Sequence, residues 1–315
     1  MKADAVFEGG GVKAIALVGA LVAAERLGYR WVNVAGTSAG ALVAALVAAG
    51  YRAREIRKFI DDLDFRNFRD RDALDRIPLM GPLLSISLEM GLYEGKFLEG
   101  WLREKLAAKG VKTFGDLVMD EFAHDRRFRY KLQVIAADIS RGLMLVLPRD
   151  IADYGVRPDD LEVARAVRMS NSLPFYFEPV IQTYRRNGRE EFSYIVDGAI
   201  LSNFPVWLFD ADREPPWPTF GFKLVGPNEG KPHRIHGPLS FLEAMFSTML
   251  NAHDAHYIEE ACFARTISIP TFGLRTTDFD LSPADRRRLY QGGQAAAQKF
   301  FTHWDFQGYV KKYRK

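Results

Sequence analysis

Residues Trp31 to Gly50 read WVNVAGTSAGALVAALVAAG, and the rest of the chain is interpreted around them. Val32 to Ala35 is a short alternating apolar run, the pattern of a buried strand. Ala41 to Ala49, rich in Ala, Leu and Val, reads as a buried helix. Between them lies Gly36-Thr37-Ser38-Ala39-Gly40, with small residues two before and two after a serine, the spacing of a nucleophile elbow. A strand that turns at once into a helix brings backbone segments close together. It also drives its central residue to positive φ, which is tolerated only where the neighbours lack bulk. Ser38 is therefore expected to stand proud of a sheet, at the positive end of a helix dipole. The bland alternative is a glycine-flanked turn with a capping serine; the strand before and the helix after favour the elbow.

A second strand-to-helix turn lies upstream. Ala3 to Phe7 reads as a strand that runs into Gly9-Gly10-Gly11-Val12-Lys13 and then an apolar helix from about Ala14 to Leu27, closed by Gly28. Successive glycine N–H groups at a helix start invite an anion, either a phosphate or the oxyanion of an acyl-transfer intermediate. A dinucleotide site would want an acidic residue at the end of the next strand, and that strand ends in Gly36-Thr37-Ser38. A phosphate loop would want Gly-Lys-Ser/Thr, and here Lys13 is followed by Ala14. Two adjacent strands, one ending in an oxyanion loop and the other in a serine elbow, make a coherent acyl-transfer site.

The chain has 315 residues, 48% hydrophobic and 26% charged, an ordinary globular composition with ample core. The expectation is one domain over residues 1–315. Its motif-bearing core covers about 3–210, with an inserted helical and lid-like region at about 51–125, and residues 219–315 complete it. A net charge of +3 is too small to argue for nucleic acid. The basic clusters Arg286-Arg287-Arg288 and Lys311 to Lys315 read as solvated surface, with contact to anionic lipid as the alternative. The single cysteine, Cys262, excludes an intramolecular disulfide and reads as a buried inert thiol in a reducing compartment. Asp4 and Glu8 spoil a signal-peptide reading of Ala14 to Ala24, and Gly36, Thr37, Ser38 and Gly40 break Val32 to Gly50 as a membrane span. A cytoplasmic protein, peripheral at membranes, is expected.

Further along, Arg54 to Leu63 has a helical pattern. Ile77 to Tyr93, IPLMGPLLSISLEMGLY, is apolar, carries two prolines and has poor periodicity; it reads as a lid or lipid-contacting loop, weighed against ordinary core. Tyr93 to Lys109 reads as an amphipathic helix with Phe97, Trp101, Leu102 and Leu106 on one face. Lys131 to Ile139 is a strand with Leu143 to Leu147 as its hairpin partner, and Asp160 to Met169 is helical. Ser170 to Pro179 is a loop with a polar start and an aromatic wall. Phe192 to Val196 is a strand that delivers Asp197 at its end, before Gly198. Later come a strand at Thr219 to Val225, a long helix over about 239–263, a strand at Arg265 to Ile269, and a helix start at Ser282-Pro283-Ala284-Asp285. Strands alternating with helices point to an α/β unit with an insertion.

A serine that transfers acyl groups needs a proton acceptor. None of the six histidines, His124, His233, His236, His253, His256 and His303, has a diagnostic setting. His253, His256 and Glu260 could share a helix face, but a third histidine and an open position for metal chemistry are not evident, so no metal is expected. Asp197 is the stronger candidate base, because it sits at a strand end beside a tight glycine turn, as the serine does. Burial would raise its pKa and strengthen it.

Taken together, these residues resemble the patatin-like phospholipase family. Gly9-Gly10-Gly11-Val12-Lys13-Ala14 is similar to its glycine-rich oxyanion loop, Gly36-Thr37-Ser38-Ala39-Gly40 to its serine elbow, and Asp197-Gly198-Ala199 to its Asp-Gly-Ala/Gly motif. Asn203 and Pro205 match as well, and Ser170 to Pro179 resembles the loop lining its acyl pocket. The resemblance implies a three-layer α/β/α sandwich with a mostly parallel central sheet, a Ser38–Asp197 dyad, and an oxyanion hole in Gly9, Gly10 and Gly11. It also implies hydrolysis of phospholipids or related acyl esters, transient contact with the membrane surface, and chemistry without metal or cofactor. Ala14 departs from the family's usual glycine, which implies a slightly altered loop. Lys13 either places a lipid phosphate or is a solvated helix-start residue. Rival readings are a thioesterase or acyltransferase using the same serine, a catalytically idle lipid- or anion-binding module, and an α/β-hydrolase with a Ser–Asp–His triad. The last is disfavoured by how early the serine comes.

Overall fold

Strands β1 (Lys2–Phe7) and β2 (Arg30–Thr37) lie side by side and parallel, with Phe7 opposite Gly36. The glycine loop and the serine elbow therefore leave the sheet at the same level. The computed structural model describes residues 1–63, 93–210, 214–227, 235–237, 260–276 and 278–314, with isolated positions between 241 and 248. Strands β3 (Leu132–Asp138), β7 (Thr219–Val225) and β8 (Thr266–Pro270) extend the parallel set. Strands β4 (Leu143–Leu147), β5 (Val180–Arg186) and β6 (Arg189–Asp197) add antiparallel pairings. The order is β5–β6–β3–β2–β1–β7–β8, with β4 on β3. The sheet is thus parallel around the Ser38 strand and antiparallel around the Asp197 strand.

Strand β3 joins these two regions. Its residues Leu132 to Ile135 pair with β2, ending at Thr37 opposite Ile135. Its residues Ala136 to Asp138 pair with β6, beginning at Asp197 opposite Ala136. β4 pairs with Val134 to Asp138 and so occupies the other edge. β2 and β6 consequently share one edge of β3 and meet end to end, the first finishing and the second arriving at consecutive β3 residues. Two chain segments about 160 residues apart are brought within reach of each other by that register.

The apolar alternation of the strands sorts the core. Ala3, Ala5 and Phe7 of β1, with Val34, Leu132, Val134 and Ala136, face the main core. That core is built with helices α1 (Ala14–Arg26), α2 (Ala39–Ala48), α3 (Ala53–Asp62), α4 (Lys96–Ala107), α5 (Val163–Ser170) and α7 (Pro283–His303). Val6, Ala35 and Ile135 point the other way, into a smaller cluster with Val146, Leu208 and Phe209. Helices α6 (Glu260–Ala264) and α8 (Phe306–Tyr313) complete the described set. The expected α/β sandwich is present, its two apolar layers unequal. Helix α1 is buried from Ala14 through Ala24. It crosses α7 where Gly19 lies against the Tyr290 carbonyl and Gly293 against the Ala16 carbonyl, positions with no room for a Cβ. From α7, Arg286 donates to the Ile60 and Leu63 carbonyls at 3.3 Å each, capping the C-terminus of α3.

Several boundaries differ from the sequence reading. Helix α4 begins at Lys96, because Tyr93 forms a bridge with Phe177 and Gly95 adopts φ +67° as the N-cap. Its buried stripe is Leu98, Leu102 and Leu106, with Phe97 and Trp101 half-buried beside it. Helix α5 begins only at Val163, since Thr113 bridges Glu162 and holds that stretch extended. Strand β5 and helix α8 were not anticipated. Lys312 of α8 pairs with Glu260 at 2.6 Å, and Arg314 pairs with Asp210, so these two basic residues of the tail are engaged with the protein's own acids. Cys262 is half-buried, not enclosed, because α6 is a short helix with Glu260 and Phe263 exposed; its Sγ accepts from Arg265 at 3.7 Å. Residues 77–92 of the expected lid, and most of the expected helix over 239–263, lie outside the described residues. Among the described residues no helix is long and apolar enough to cross a membrane.

Candidate active site

Ser38 adopts φ 54° and ψ −131°, a strained positive-φ conformation at the turn from β2 into α2. The two flanking glycines make it feasible. A Cβ on Gly36 would run into the Gly40 carbonyl, and one on Gly40 into the Phe7 and Glu8 carbonyls. The elbow packs directly on the β1 end, with no space for side chains at those points. The Ser38 carbonyl accepts the Ala41 N–H at 2.9 Å and starts α2.

The glycine loop lies beside it. The Gly9 N–H is bonded to the Asn203 carbonyl at 3.2 Å, and the Val12 N–H to the Thr276 carbonyl at 3.2 Å. Gly9 thus contributes its missing side chain, since a Cβ there would overlap the Asn203 amide oxygen and crowd Ser38. The N–H groups of Gly10 and Gly11 have no acceptor among the described residues. Gly11 holds φ +55° against the Thr276 carbonyl, a conformation and a closeness that both require glycine. The Asn203 side chain donates to the Gly9 carbonyl at 3.3 Å and to Glu8 Oε1 at 3.4 Å. Glu8 in turn accepts the Leu224 N–H, fastening the loop to β7. Ala14 is buried at the start of α1 and lines the pocket, while Lys13 lies on the 3-10 turn outside the lining.

Asp197 is fully buried. Its Oδ1 accepts the Ala199 N–H at 2.9 Å, and Gly198 sits so close to the Ile135 carbonyl that a Cβ would overlap it. Burial pushes the Asp197 carboxyl up to about 7; hydrogen bonding to the Ser38 side chain and to the Ala199 N–H opposes the rise. Oδ2 is buried and lacks a well-formed hydrogen bond. The contact with Ser38 is thus close enough to act on the carboxyl while falling short of ideal geometry.

Ser38, Asp197, the three glycines, Ala199 and Asn203 line one pocket. The rest of its wall is mostly apolar, including Ile15, Leu42, Leu46, Ile60, Leu98 and Phe177 from four helices and the 171–179 loop. No histidine lines it among the described residues. His303 is exposed on α7 with Nδ1 near the Lys299 carbonyl, and His233, His253 and His256 lie outside the described residues. Glu260, the remaining member of the considered metal face, is exposed and bonded to Lys312 and Tyr313.

Three further residues at the end of α5, with no motif to mark them, contact Ser38 and Asp197. Ser170 Oγ accepts the Ser38 N–H at 2.8 Å and donates to the Ile135 carbonyl at 2.5 Å. Asn171 Nδ2 donates to the Ser38 carbonyl at 2.9 Å, and the Ser172 carbonyl accepts the Asp197 N–H at 2.9 Å. The polar start of that loop was visible; its partners, 132 and 133 positions away for Ser170 and Asn171, were not.

The profile of the patatin-like phospholipase family matches residues 5–210, the span that holds the glycine loop, the elbow and Asp197. The chain belongs to this family. Patatin-like phospholipases act on lipids, and membership places this protein among lipid-ester hydrolases. It is 39% identical over 308 residues to the uncharacterized protein YqhO of Bacillus subtilis strain 168, covering 97% of this chain and all of that one. It is 23% identical over 265 residues to the uncharacterized protein R571 of Acanthamoeba polyphaga mimivirus, covering 80% and 76% of the two chains. In fold, this patatin-like chain is similar to VipD from Legionella pneumophila, with a TM-score of 0.56 at 18% identity, covering 95% of this chain and 66% of VipD. It is also similar to the type III effector ExoU, with a TM-score of 0.52 at 16% identity, covering 98% of this chain and 53% of ExoU. The chain therefore spans just under two thirds of the one and about half of the other.

Proposed function

We propose that this patatin-like protein cleaves carboxyl-ester bonds of phospholipids or related acyl lipids, with Ser38 as nucleophile and Asp197 as its base. The observation that carries this reading is the buried Asp197, whose carboxyl is raised to about 7 and faces Ser38 in a mostly apolar pocket. A base titrating near neutral pH is well matched to proton shuttling. Ser38 Oγ attacks the ester carbonyl carbon as its proton passes to Asp197, and the carbonyl π electrons move onto oxygen. The Gly10 and Gly11 N–H groups hold that oxyanion; one such donor is worth roughly 3–4 kcal/mol. Collapse of the intermediate expels the alcohol, which takes the proton from Asp197. A water then gives its proton to Asp197 and attacks the acyl-serine; the fatty acid leaves and Ser38 recovers its proton. The steps call on no cofactor. The apolar wall supports an acyl chain as the group held during turnover, and a substrate resident in bilayers supports transient contact with a membrane surface.

The test is labelling with a fluorophosphonate and hydrolysis of a short-chain nitrophenyl ester, followed by product analysis on mixed phospholipids. Ser38→Ala is expected to abolish labelling, and Ser38→Ala and Asp197→Asn each to lower turnover at least about 10⁴-fold while the fold survives. Normal turnover by either variant overturns the dyad. Wild-type protein that never labels would instead indicate a lipid-binding module. Products formed preferentially with added alcohol or thiol acceptors would indicate an acyltransferase.

A further inference from the structure

We infer that Ser170, Asn171 and Ser172 form a positioning clamp that sets the distance between the Ser38 hydroxyl and the Asp197 carboxylate; the inference rests on the dyad proposed above. Three consecutive residues at the C-terminal end of α5 hold both members by their backbones. Ser170 takes the Ser38 N–H, Asn171 supplies a donor to the Ser38 carbonyl, and the Ser172 carbonyl takes the Asp197 N–H. The clamp is itself fixed. Ser170 donates to the carbonyl of Ile135, the β3 residue where β2 ends. Asn171 spends its second amide proton on the Val167 carbonyl at 2.8 Å, and Ser172 Oγ donates to the Arg168 carbonyl at 2.9 Å.

The need for a clamp follows from the sheet. β2 and β6 are not hydrogen-bonded to each other where they meet, because each is paired with a different part of β3. Regular pairing therefore fixes each strand to β3 but does not tie the two ends together. Ser38 is also in a strained conformation that must be over-determined by its surroundings to persist. Ser170 is fully buried, and its hydroxyl serves two backbone groups at once, the Ser38 N–H and the Ile135 carbonyl. These residues do not touch the reacting atoms through their clamping bonds; they act through Ser38 and Asp197.

The experiment compares wild type with Ser170→Ala, Ser170→Thr, Asn171→Ala and Asn171→Asp on a nitrophenyl ester across pH. Circular dichroism and thermal midpoints give the folded fraction of each. Loosening the clamp by about 1 Å is expected to lower kcat about 10–100-fold in Ser170→Ala, with KM within about two-fold. The rising limb of the pH profile should move to higher pH, because a slackened Ser38 contact no longer opposes the effect of burial on Asp197. Ser170→Thr, which keeps the hydroxyl, should restore most of kcat. Asn171→Asp, which sets a carboxylate against two carbonyl oxygens, should be worse than Asn171→Ala. Asn171 is only partly buried, so Asn171→Ala carries the test if Ser170→Ala does not fold. If kcat per folded molecule and the pH profile are those of wild type in both alanine variants, the clamp is wrong. That result with Ser38→Ala inactive leaves the dyad standing, whereas an active Ser38→Ala removes the dyad and the clamp with it.

Discussion

At the residue scale, Asp197 and Asp4 share a physical situation and differ in the part proposed for them. Each is buried, and desolvation pushes each carboxyl from an ordinary 3.8 up to about 7. Asp4 accepts the Asn33 N–H at 2.9 Å and lies far along β1 from the glycine loop. A group whose folded pKa exceeds its unfolded value adds stability that is complete below the unfolded pKa and is lost as pH rises through the folded one. Global stability should therefore fall between about pH 4 and pH 7 through these two groups, by up to roughly 4 kcal/mol for each. Activity should run the opposite way, with a rising limb near pH 7 as Asp197 ionises. Asp4→Asn separates the two effects: denaturant titrations across pH should show a shallower decline, while the pH–rate profile keeps its midpoint. A midpoint that moved with Asp4→Asn would assign the limb to the wrong carboxyl.

At the element scale, the α1–α7 crossing is set by two glycines at backbone contact. Gly293→Val should force the helices apart and cost about 1–3 kcal/mol, read as a lower thermal midpoint with little change in the rate per folded molecule. Elements whose signal is local were legible in the sequence. The elbow and the glycine loop could be read because steric demand at Gly36, Gly40 and Gly11 leaves few residue choices. The N-cap Ser282, which accepts the Asp285 N–H, was legible because a helix start selects a side-chain acceptor followed by proline and an acid. Strand β5 was not, because as an edge strand it buries only Gln182 fully and reads VIQTYRR, without an apolar alternation. Helix α8 was hidden by its charges: Tyr309 and Val310 anchor it, yet the lysines around them suggested a solvated tail.

At the scale of the whole molecule, Asp210 joins distant parts of the chain. Arg265, whose side chain is 3% exposed, pairs with it at 2.7 Å, and Arg314 reaches the same carboxylate from the end of α8. Asp210→Asn would strand a buried guanidinium and is expected to cost about 3 kcal/mol, measured by chemical denaturation, without changing which esters are cleaved. Contacts of this range could not be read from the sequence. The same holds for Ser170 to Ser172, whose residue types announce a loop and whose partners are fixed only when β3 brings residues 38 and 197 together. Ser38 and Asp197 could be named as candidates from local motifs, but their meeting depends on the register of a third strand.

That register makes the protein separable into two incomplete halves. The turn at Asn187 and Gly188 is exposed and a Cβ on Gly188 would meet nothing, so a nick there should be well tolerated. The piece 1–187 would carry the proposed nucleophile, β3 and all three proposed clamping residues; the piece 188–315 would carry Asp197 with Ala199, Asn203 and Thr276. Produced apart, each should be inert towards esters. Produced together, they should regain turnover with a concentration dependence typical of association.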